Sequence, residues 1–501
     1  MEFARRRAEE VTTELGYSVP PACVPEEYNG ECHANHIRKM QVETINFIVT
    51  KLFLSISEFL LRQVFIFNQN IKFILTISSS QASFSWDWGP AFPTSGIWLP
   101  IQVVAGDWPR VEHITWAVSD TDNDTFTAAI SAVLEGPECA ECLVIYYLEL
   151  GELEGYSGPM TRDSGDRWTA EIRVEKKYVE LWWPNGYGDQ RLYDLRVVIE
   201  DGDLNVVDDK HHRRVGFRTV ELVQEPLSQG LSFYFKVNGK PIFMKGSNWI
   251  PANVLGKYNK NDYLDLLWSA KEAHMNMLRV WGGGIYEYDQ FYNLADELGI
   301  LIWQDFMFAC AMYPATSSAL ESVRAEVVSQ VRRLQFHASI ALWAGNNENE
   351  AALRGNWFGT DERFAEYKAD YIRLYVDTVR EVVREEDPGR GFLVSSPSNG
   401  LASEQEDYIA SNPYSSLYGD THYYNYREDN WDWSIYPRTR FASEYGFQSW
   451  PAWEVMEPVS EVWDWSLSSA WMSHRQHHPG GNMELLWQIG LNMDINQVSI
   501  L

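Results

Sequence analysis

Between residues 110 and 200 apolar and polar residues alternate in short runs broken by Gly, Asp and Pro. "VEHITWAVS" (111–119), "TFTAAISAVL" (125–134), "WTAEIRVE" (168–175) and "LYDLRVVIE" (192–200) each read as a half-buried strand. Short strands at this spacing predict a small immunoglobulin-like β-sandwich. From about residue 232 the period changes. "IFMKGSNW" is followed by helical "NDYLDLLWSAKEAHM", strand "NMLRVW", helical "EYDQFYNLADELG" and strand "ILIWQDFMF". A helix over 319–337 precedes "SIALWAG", a helix over 362–386 precedes "GFLVSSPS", and "DTHYYN" and "RFASEYGF" come later. Strands alternating with helices predict a (β/α) barrel, here with seven candidate strands and no eighth. Beyond Trp450 the pattern is helical through "AWEVMEPVSEVWDWSLSSAWMSHRQ".

Residues 42–81 do not fit their surroundings. They are dominated by Ile, Phe, Leu, Asn, Lys and Ser and contain no Gly, Pro, Asp, Ala or Trp. Lys51, Glu58, Arg62 and Lys72 interrupt every apolar run well short of the ~18 residues a membrane span needs. The segment favours AT-rich codons, Val42 must begin with GT and Gln81 can end in AG, so it reads as a translated intron. The first residues, "MEFARRRAEEV", lack the apolar core of a secretory signal.

Composition narrows the partners. With 41 basic and 70 acidic residues among 501, the net charge of −29 repels phosphate backbones and anionic lipid, which speaks against nucleic acid and membrane. The 22 tryptophans and 26 tyrosines offer faces on which sugars stack, although tryptophan is also core filler. Five cysteines do not make a disulfide scaffold at this length. Cys23 and Cys32 bracket a short loop that a disulfide could close, while Cys139 and Cys142 lack a second pair for zinc and read as structural or incidental. Asn123-Asp124-Thr125 is a glycosylation sequon, relevant if the chain is secreted.

Barrel strands end on one face, and polar residues cluster at these strand ends: Asn248-Trp249, Arg279 to Gly282, Trp303-Gln304-Asp305, Asn347-Glu348, His422-Tyr423-Tyr424 and Glu444-Tyr445. Taken singly, Glu348 and Glu444 read as solvated strand-end carboxylates. They close the fourth and seventh strands, on opposite sides of a narrow ring, and two facing carboxylates are the minimum equipment for glycoside hydrolysis. That pairing outweighs the bland reading.

"WAGNNENE" and "FASEYGFQSWP" resemble the acid/base and nucleophile motifs of glycoside hydrolase family 2. "SFSWDWGPAFPTSGIW" (83–98) and "LWWPNGYGDQRLYDL" (181–195) resemble its β-mannosidase branch, the animal lysosomal form in particular. The resemblance runs over 17–41 and 82–485, and joining Gln41 to Ala82 gives uninterrupted family-like sequence. It implies Glu348 as acid/base, with Glu350 its rival, and Glu444 as nucleophile. Asn347 would bind the sugar 2-hydroxyl; Trp86, Asp87 and Trp88 would grip a terminal mannose, with Trp281 and Asp305 lining the pocket. It also implies retaining exo-hydrolysis of β-mannosyl oligosaccharides derived from N-glycans, with no cofactor and no metal, by a lysosomal monomer or weak oligomer. The expected domains are a jelly-roll remnant over 1–105 containing the insert, an immunoglobulin-like sandwich over 106–225, and an incomplete (β/α)8 TIM barrel over 226–501. Such a chain is read as truncated at both ends, with exposed edges at its first and seventh strands. Two alternatives stand beside this one: a catalytically impaired or misfolded variant, and a family 2 enzyme of other sugar specificity.

Overall fold

A computed structural model describes residues 81–91, 106–151, 155–163, 167–253, 260–357 and 359–493. The Cys23–Cys32 expectation, and the insert except for Gln81, lie outside them.

The described chain begins with a hairpin of β1 (Phe84–Trp86) and β2 (Gly89–Ala91). Eight antiparallel strands follow in two four-stranded sheets. One contains β3 (Arg110–Asp120), β4 (Thr125–Glu135), β7 (Thr161–Arg162) and β8 (Arg167–Glu175). The other contains β5 (Leu143–Glu149), β6 (Gly155–Pro159), β9 (Tyr193–Glu200) and β10 (Val206–Val215). The period of two does the work: Phe126, Ala128, Ile130 and Ala132 of β4 face Val144, Tyr146 and Leu148 of β5 and Leu195 and Val197 of β9 in one buried cluster. The β3–β4 turn is fixed by Asp122, whose carboxylate accepts from the amides of Asp124 and Thr125 at 2.9 and 2.7 Å, and Asn123 of the sequon sits exposed at its tip. Cys139 and Cys142, whose spacing left their role open, are joined by a disulfide.

A three-stranded sheet of β11 (Val220–Val223), β12 (Tyr234–Val237) and β13 (Lys240–Ile242) leads into the α/β part. There β14 (Gly246–Trp249), β15 (Met277–Val280), β16 (Leu301–Asp305), β17 (Ile340–Ala344) and β18 (Gly391–Leu393) form a parallel sheet in chain order. The connections contain α1 (Lys260–Glu272), α2 (Asp289–Leu298) and α3 (Ser317–Leu334). A second parallel pair, β19 (Thr421–Tyr424) and β20 (Ala442–Gly446), completes seven strands within the seven segments named from sequence. β15, β16 and β17 are buried at every position, because helices cover one face and the other strands the opposite one. β14 and β20 keep exposed residues, Gly246, Ser247, Ala442 and Tyr445. They are nonetheless linked: the Asn248 side chain donates to the Ser443 carbonyl at 3.0 Å.

Local chemistry sets the helix ends. Thr316 caps α3 by accepting from the Ala319 amide, and α2 stops at Gly299, whose φ of 75° an L-residue adopts only at a cost. The sandwich docks on this end of the sheet. Trp116 N donates to Gln335 Oε1 at 2.8 Å, Trp182 Nε1 to the Asp296 carbonyl at 2.8 Å, and Arg218 to the Ala338 and Ile340 carbonyls. Phe235, Val237 and Ile242 pack with the strand starts Met277 and Leu301. That end is closed, which leaves the carboxyl ends of the strands for a site.

The helical expectations differ in detail. The run over 362–386 contains an α-helix, Phe364–Tyr371, a π-helical stretch, Ile372–Arg380, and a second α-helix, Glu381–Glu386. The expected long tail helix is broken into Trp453–Met456 and Ala470–Arg475 with 3-10 turns between, because Pro458 and the Ser-rich stretch interrupt it, and a further helix spans Gly481–Asn492.

Candidate active site

Arg279, at the end of β15, is the hub of the strand-end cluster. It is 4% exposed. Its Nη2 donates to Asp305 Oδ2 and to Asn347 Oδ1, both at 2.8 Å, its Nη1 to Asn248 Oδ1 at 3.1 Å, and its Nη1 also to Glu444 Oε1. One guanidinium thus ties together the ends of β14, β15, β16, β17 and β20. Burial opposes its charge, but Asp305 and Glu444 more than offset that and hold it protonated. Asp305 is fully enclosed; its carboxylate also accepts from Trp303 Nε1 at 3.0 Å and the Gly282 amide at 3.1 Å. It therefore shapes the pocket through Arg279 and not by facing open space.

Glu348 follows β17 with a left-handed φ of 63°, which turns its side chain back over the strand ends. His422 of β19 lies between the two glutamates. Its Nδ1 is 2.7 Å from Glu348 Oε1 and 3.5 Å from Glu444 Oε2, and its Nε2 is 3.2 Å from Ser396 Oγ. Ser396 donates its own hydroxyl hydrogen to Asp420 Oδ2 at 2.6 Å, so its oxygen accepts from Nε2–H. Both ring nitrogens are then donors. Burial would neutralise this histidine, but the carboxylates of Glu444 and Glu348 outweigh it and raise the imidazole above 6.5.

Glu444 is held on both oxygens, by Arg279 on Oε1 and by the Tyr424 hydroxyl on Oε2 at 2.8 Å. Burial pushes its carboxyl upward, while His422, Arg279 and Tyr424 together bring it below 4.5 and favour its ionised form. One oxygen of Glu348, one of Glu444 and one nitrogen of His422 all lie within 4.8 Å of each other. Among the described residues this trio is the group that could hold a metal ion, but the Arg279 guanidinium on Glu444 and a protonated His422 both repel a cation there.

An aromatic wall stands beside the carboxylates. Trp281, 5% exposed, meets Trp86 edge-on at 4.8 Å and Trp88 at 5.7 Å. The hairpin carrying Trp86, Asp87 and Trp88 is pinned here: the Ala82 amide donates to the Gly283 carbonyl at 2.9 Å, and Gln81 accepts from the Tyr313 hydroxyl at 2.6 Å. Asp87 is 3.4 Å from His478 Nδ1; burial raises its carboxyl, with His478 opposing and Glu348 adding to the rise. Asn347 is engaged on both ends, by Arg279 and by donation to Cys310 Sγ at 3.3 Å. The rival glutamate is elsewhere. Glu350 is fully buried, accepts from Ser403 Oγ and the Ala410 amide, and burial lifts it to about 7.

The structure brings Glu348, Glu444, Asn347 and Asp305 together around Arg279 and His422 and sets the three tryptophans beside them. Arg279, His422 and Tyr424 stood in the strand-end clusters without a role, and Cys310 went unnoticed. The signal for Arg279, His422 and Tyr424 was a polar residue at a strand end; Cys310, in the loop after β16, carried none.

Residues 111–218 match the model for glycosyl hydrolases family 2. A β-mannosidase of Rattus norvegicus is 43% identical over 490 residues, covering 96% of this chain and 51% of that protein. The chain is similar to β-mannosidases over most of its length and to glycosyl hydrolases family 2 over residues 111–218. A β-mannosidase of Capra hircus is 42% identical over 98% of this chain and 52% of its own length. The crystal structure of a β-D-mannosidase from Dictyoglomus thermophilum superimposes with a TM-score of 0.74 at 33% identity, over 88% of this chain and 53% of that one. The chain therefore spans about half the length of the curated relatives it matches.

Proposed function

We propose that the chain acts as a retaining exo-β-mannosidase on terminal non-reducing β-mannose of N-glycan-derived oligosaccharides. The carrying observation is the approach of Glu348 and Glu444 to within 4.8 Å at the strand ends. Retention needs carboxyl groups about 5–5.5 Å apart, whereas inversion needs about 6.5–9.5 Å to admit a water. Glu444, ionised and aimed by Arg279 and Tyr424, attacks the anomeric carbon. Glu348 protonates the departing glycosidic oxygen and then takes a proton from the water that releases the sugar. Asn347 binds the 2-hydroxyl, and Trp86, Asp87, Trp88 and Trp281 close the pocket around one terminal sugar. Mannose is favoured over other sugars by the names of the relatives at 42–43% identity.

In this reading the seven strands belong to a (β/α)8 TIM barrel, and the two antiparallel sheets form an immunoglobulin-like sandwich over 106–225. A lysosomal address and a monomeric or weakly associated state go with the family resemblance. Among the described residues no helix is long and apolar enough to cross a membrane.

Release of p-nitrophenol from its β-mannoside, abolished in Glu444→Ala, tests the proposal; turnover of the β-galactoside or β-glucuronide in its place would assign another sugar. A second reading, a catalytically impaired product, is favoured by the exposure of Val455, Val459, Val462, Trp463, Met483 and Trp487. A broad, non-cooperative thermal transition together with absent turnover would select it.

A further inference from the structure

Hydrolysis as outlined gives the thiol of Cys310 no role. Cys310, half-buried and beyond the end of β16, places Sγ 3.1 Å from Glu348 Oε2. Its backbone has a left-handed φ of 43°, uncommon for a residue with a Cβ, and is held there by donation of its amide to the Asn347 carbonyl at 2.9 Å. We propose that Cys310 is a positioning residue for Glu348: its thiol donates to Oε2 while the carboxyl is ionised and accepts from Oε2–H while it is protonated, so Glu348 serves as acid and then base without turning. This rests on the function proposed above.

Three contacts carry the inference. Oε1 of Glu348 is already held by a nitrogen of His422 that can only donate, so Oε1 is the wrong oxygen to carry a proton. Asn347 Nδ2 donates to the sulfur at 3.3 Å, which occupies one side of it and leaves the S–H free to aim at Oε2. Burial, reinforced by Glu348, keeps the thiol protonated well above its ordinary range, so it is neither a rival nucleophile nor a second anion. A thiol is a weak donor and a weak acceptor, and reversing its bond to Oε2 costs little. In the first half-reaction the Oε2–H rotates from the sulfur to the glycosidic oxygen and breaks as its proton joins that oxygen and the bond to the anomeric carbon opens; the new carboxylate then receives S–H. In the second half a water gives its proton to Oε2 while its oxygen displaces Glu444 from the sugar, and the thiol swings back to accepting. No proton leaves the sulfur.

The test compares aryl β-mannosides of graded leaving-group acidity. Cys310→Ala should lower kcat/KM about tenfold, the loss expected of one hydrogen bond, for a weakly acidic phenol, and leave a dinitrophenol substrate nearly untouched. Cys310→Ser, which keeps a two-way hydroxyl, should restore the wild-type dependence. Equal losses on all leaving groups, or no advantage of Ser over Ala, would overturn the proposal. If the wild-type chain turns over no aryl mannoside, the functional reading fails by itself. The contact is then read by alkylation of Cys310, followed by peptide mass spectrometry as pH is raised: Glu348→Gln should move the reactivity to lower pH, and an unmoved profile would overturn it.

Discussion

A guanidinium enclosed at the end of β15 is stable only because carboxylates surround it. Removing the charge of Arg279 strands Asp305 and Glu444 in a buried setting, where breaking one side of an ion pair costs about 3–5 kcal/mol. Arg279→Met is therefore expected to lower the free energy of unfolding in urea by that much and to abolish turnover; an unchanged free energy would mean that the hub is not as buried as described. Glu348→Ala should cost on the order of 10²–10⁴-fold on substrates with poor leaving groups and far less on activated ones, because protonation helps only where the leaving oxygen needs it. Exogenous azide, which attacks the glycosyl-enzyme without needing a base, should speed turnover of the activated substrates and yield the β-mannosyl azide. At this scale the sequence pointed to Glu348, fused to the apolar β17, and to Glu444 through its pairing with Glu348 and the resemblance to a family motif. It could not show Arg279 as their clamp, because the contact joins positions 165 apart in the chain and no local period encodes it.

Elements deliver these side chains, and small features inside them have large effects. After β15 the chain turns through Gly283, where an added Cβ would come within 2.0 Å of the Trp281 ring. Gly283→Ala is expected to push Trp281 out of its edge contacts with Trp86 and Trp88, raising KM more than it lowers kcat in aryl-mannoside kinetics. Glu350, in the first turn of a short helix (Asn349–Arg354), has a second role for acid. Its carboxyl rises from 4.5 to about 7, so the folded state holds a proton that the unfolded state has lost between those values. Stability is fully present below 4.5, falls as pH rises toward about 7 and then levels, by on the order of 3 kcal/mol in total. Glu350→Gln should flatten this fall in urea titrations across that range. The alternation of strands and helices was readable because period 2 and period 3.6 are locally distinct. The tail, read as helical, holds short helices whose breaks Pro458 and the serines set.

Over the whole molecule, the sandwich and the small sheet close one end of the parallel strands, so that chemistry is confined to the other. The hairpin carrying Trp86 to Trp88 reaches that end from a part of the chain remote in sequence, which no pattern in the sequence requires; the resemblance to family motifs supplied it. Two groups at the site set a common pH window. Glu444, depressed below 4.5, adds stability that is fully present above 4.5 and lost as pH falls through its lowered value. His422, raised above 6.5, adds stability that is fully present below 6.5 and lost as pH rises through its raised value. Both contributions are complete between 4.5 and 6.5, and Glu350 also favours the acid side. Thermal unfolding is expected to occur at its highest temperature within that window; a maximum at alkaline pH would contradict the assignment of charges.

The central claim is that Glu444 attacks and Glu348 delivers the proton. A fluorinated mannosyl fluoride that forms a slowly hydrolysed glycosyl-enzyme, followed by peptide mass spectrometry, tests it most directly. The expected result is one covalent sugar on the peptide containing Glu444, absent from Glu444→Ala. A label on Glu348, or turnover with inversion at the anomeric carbon and no label, would contradict it.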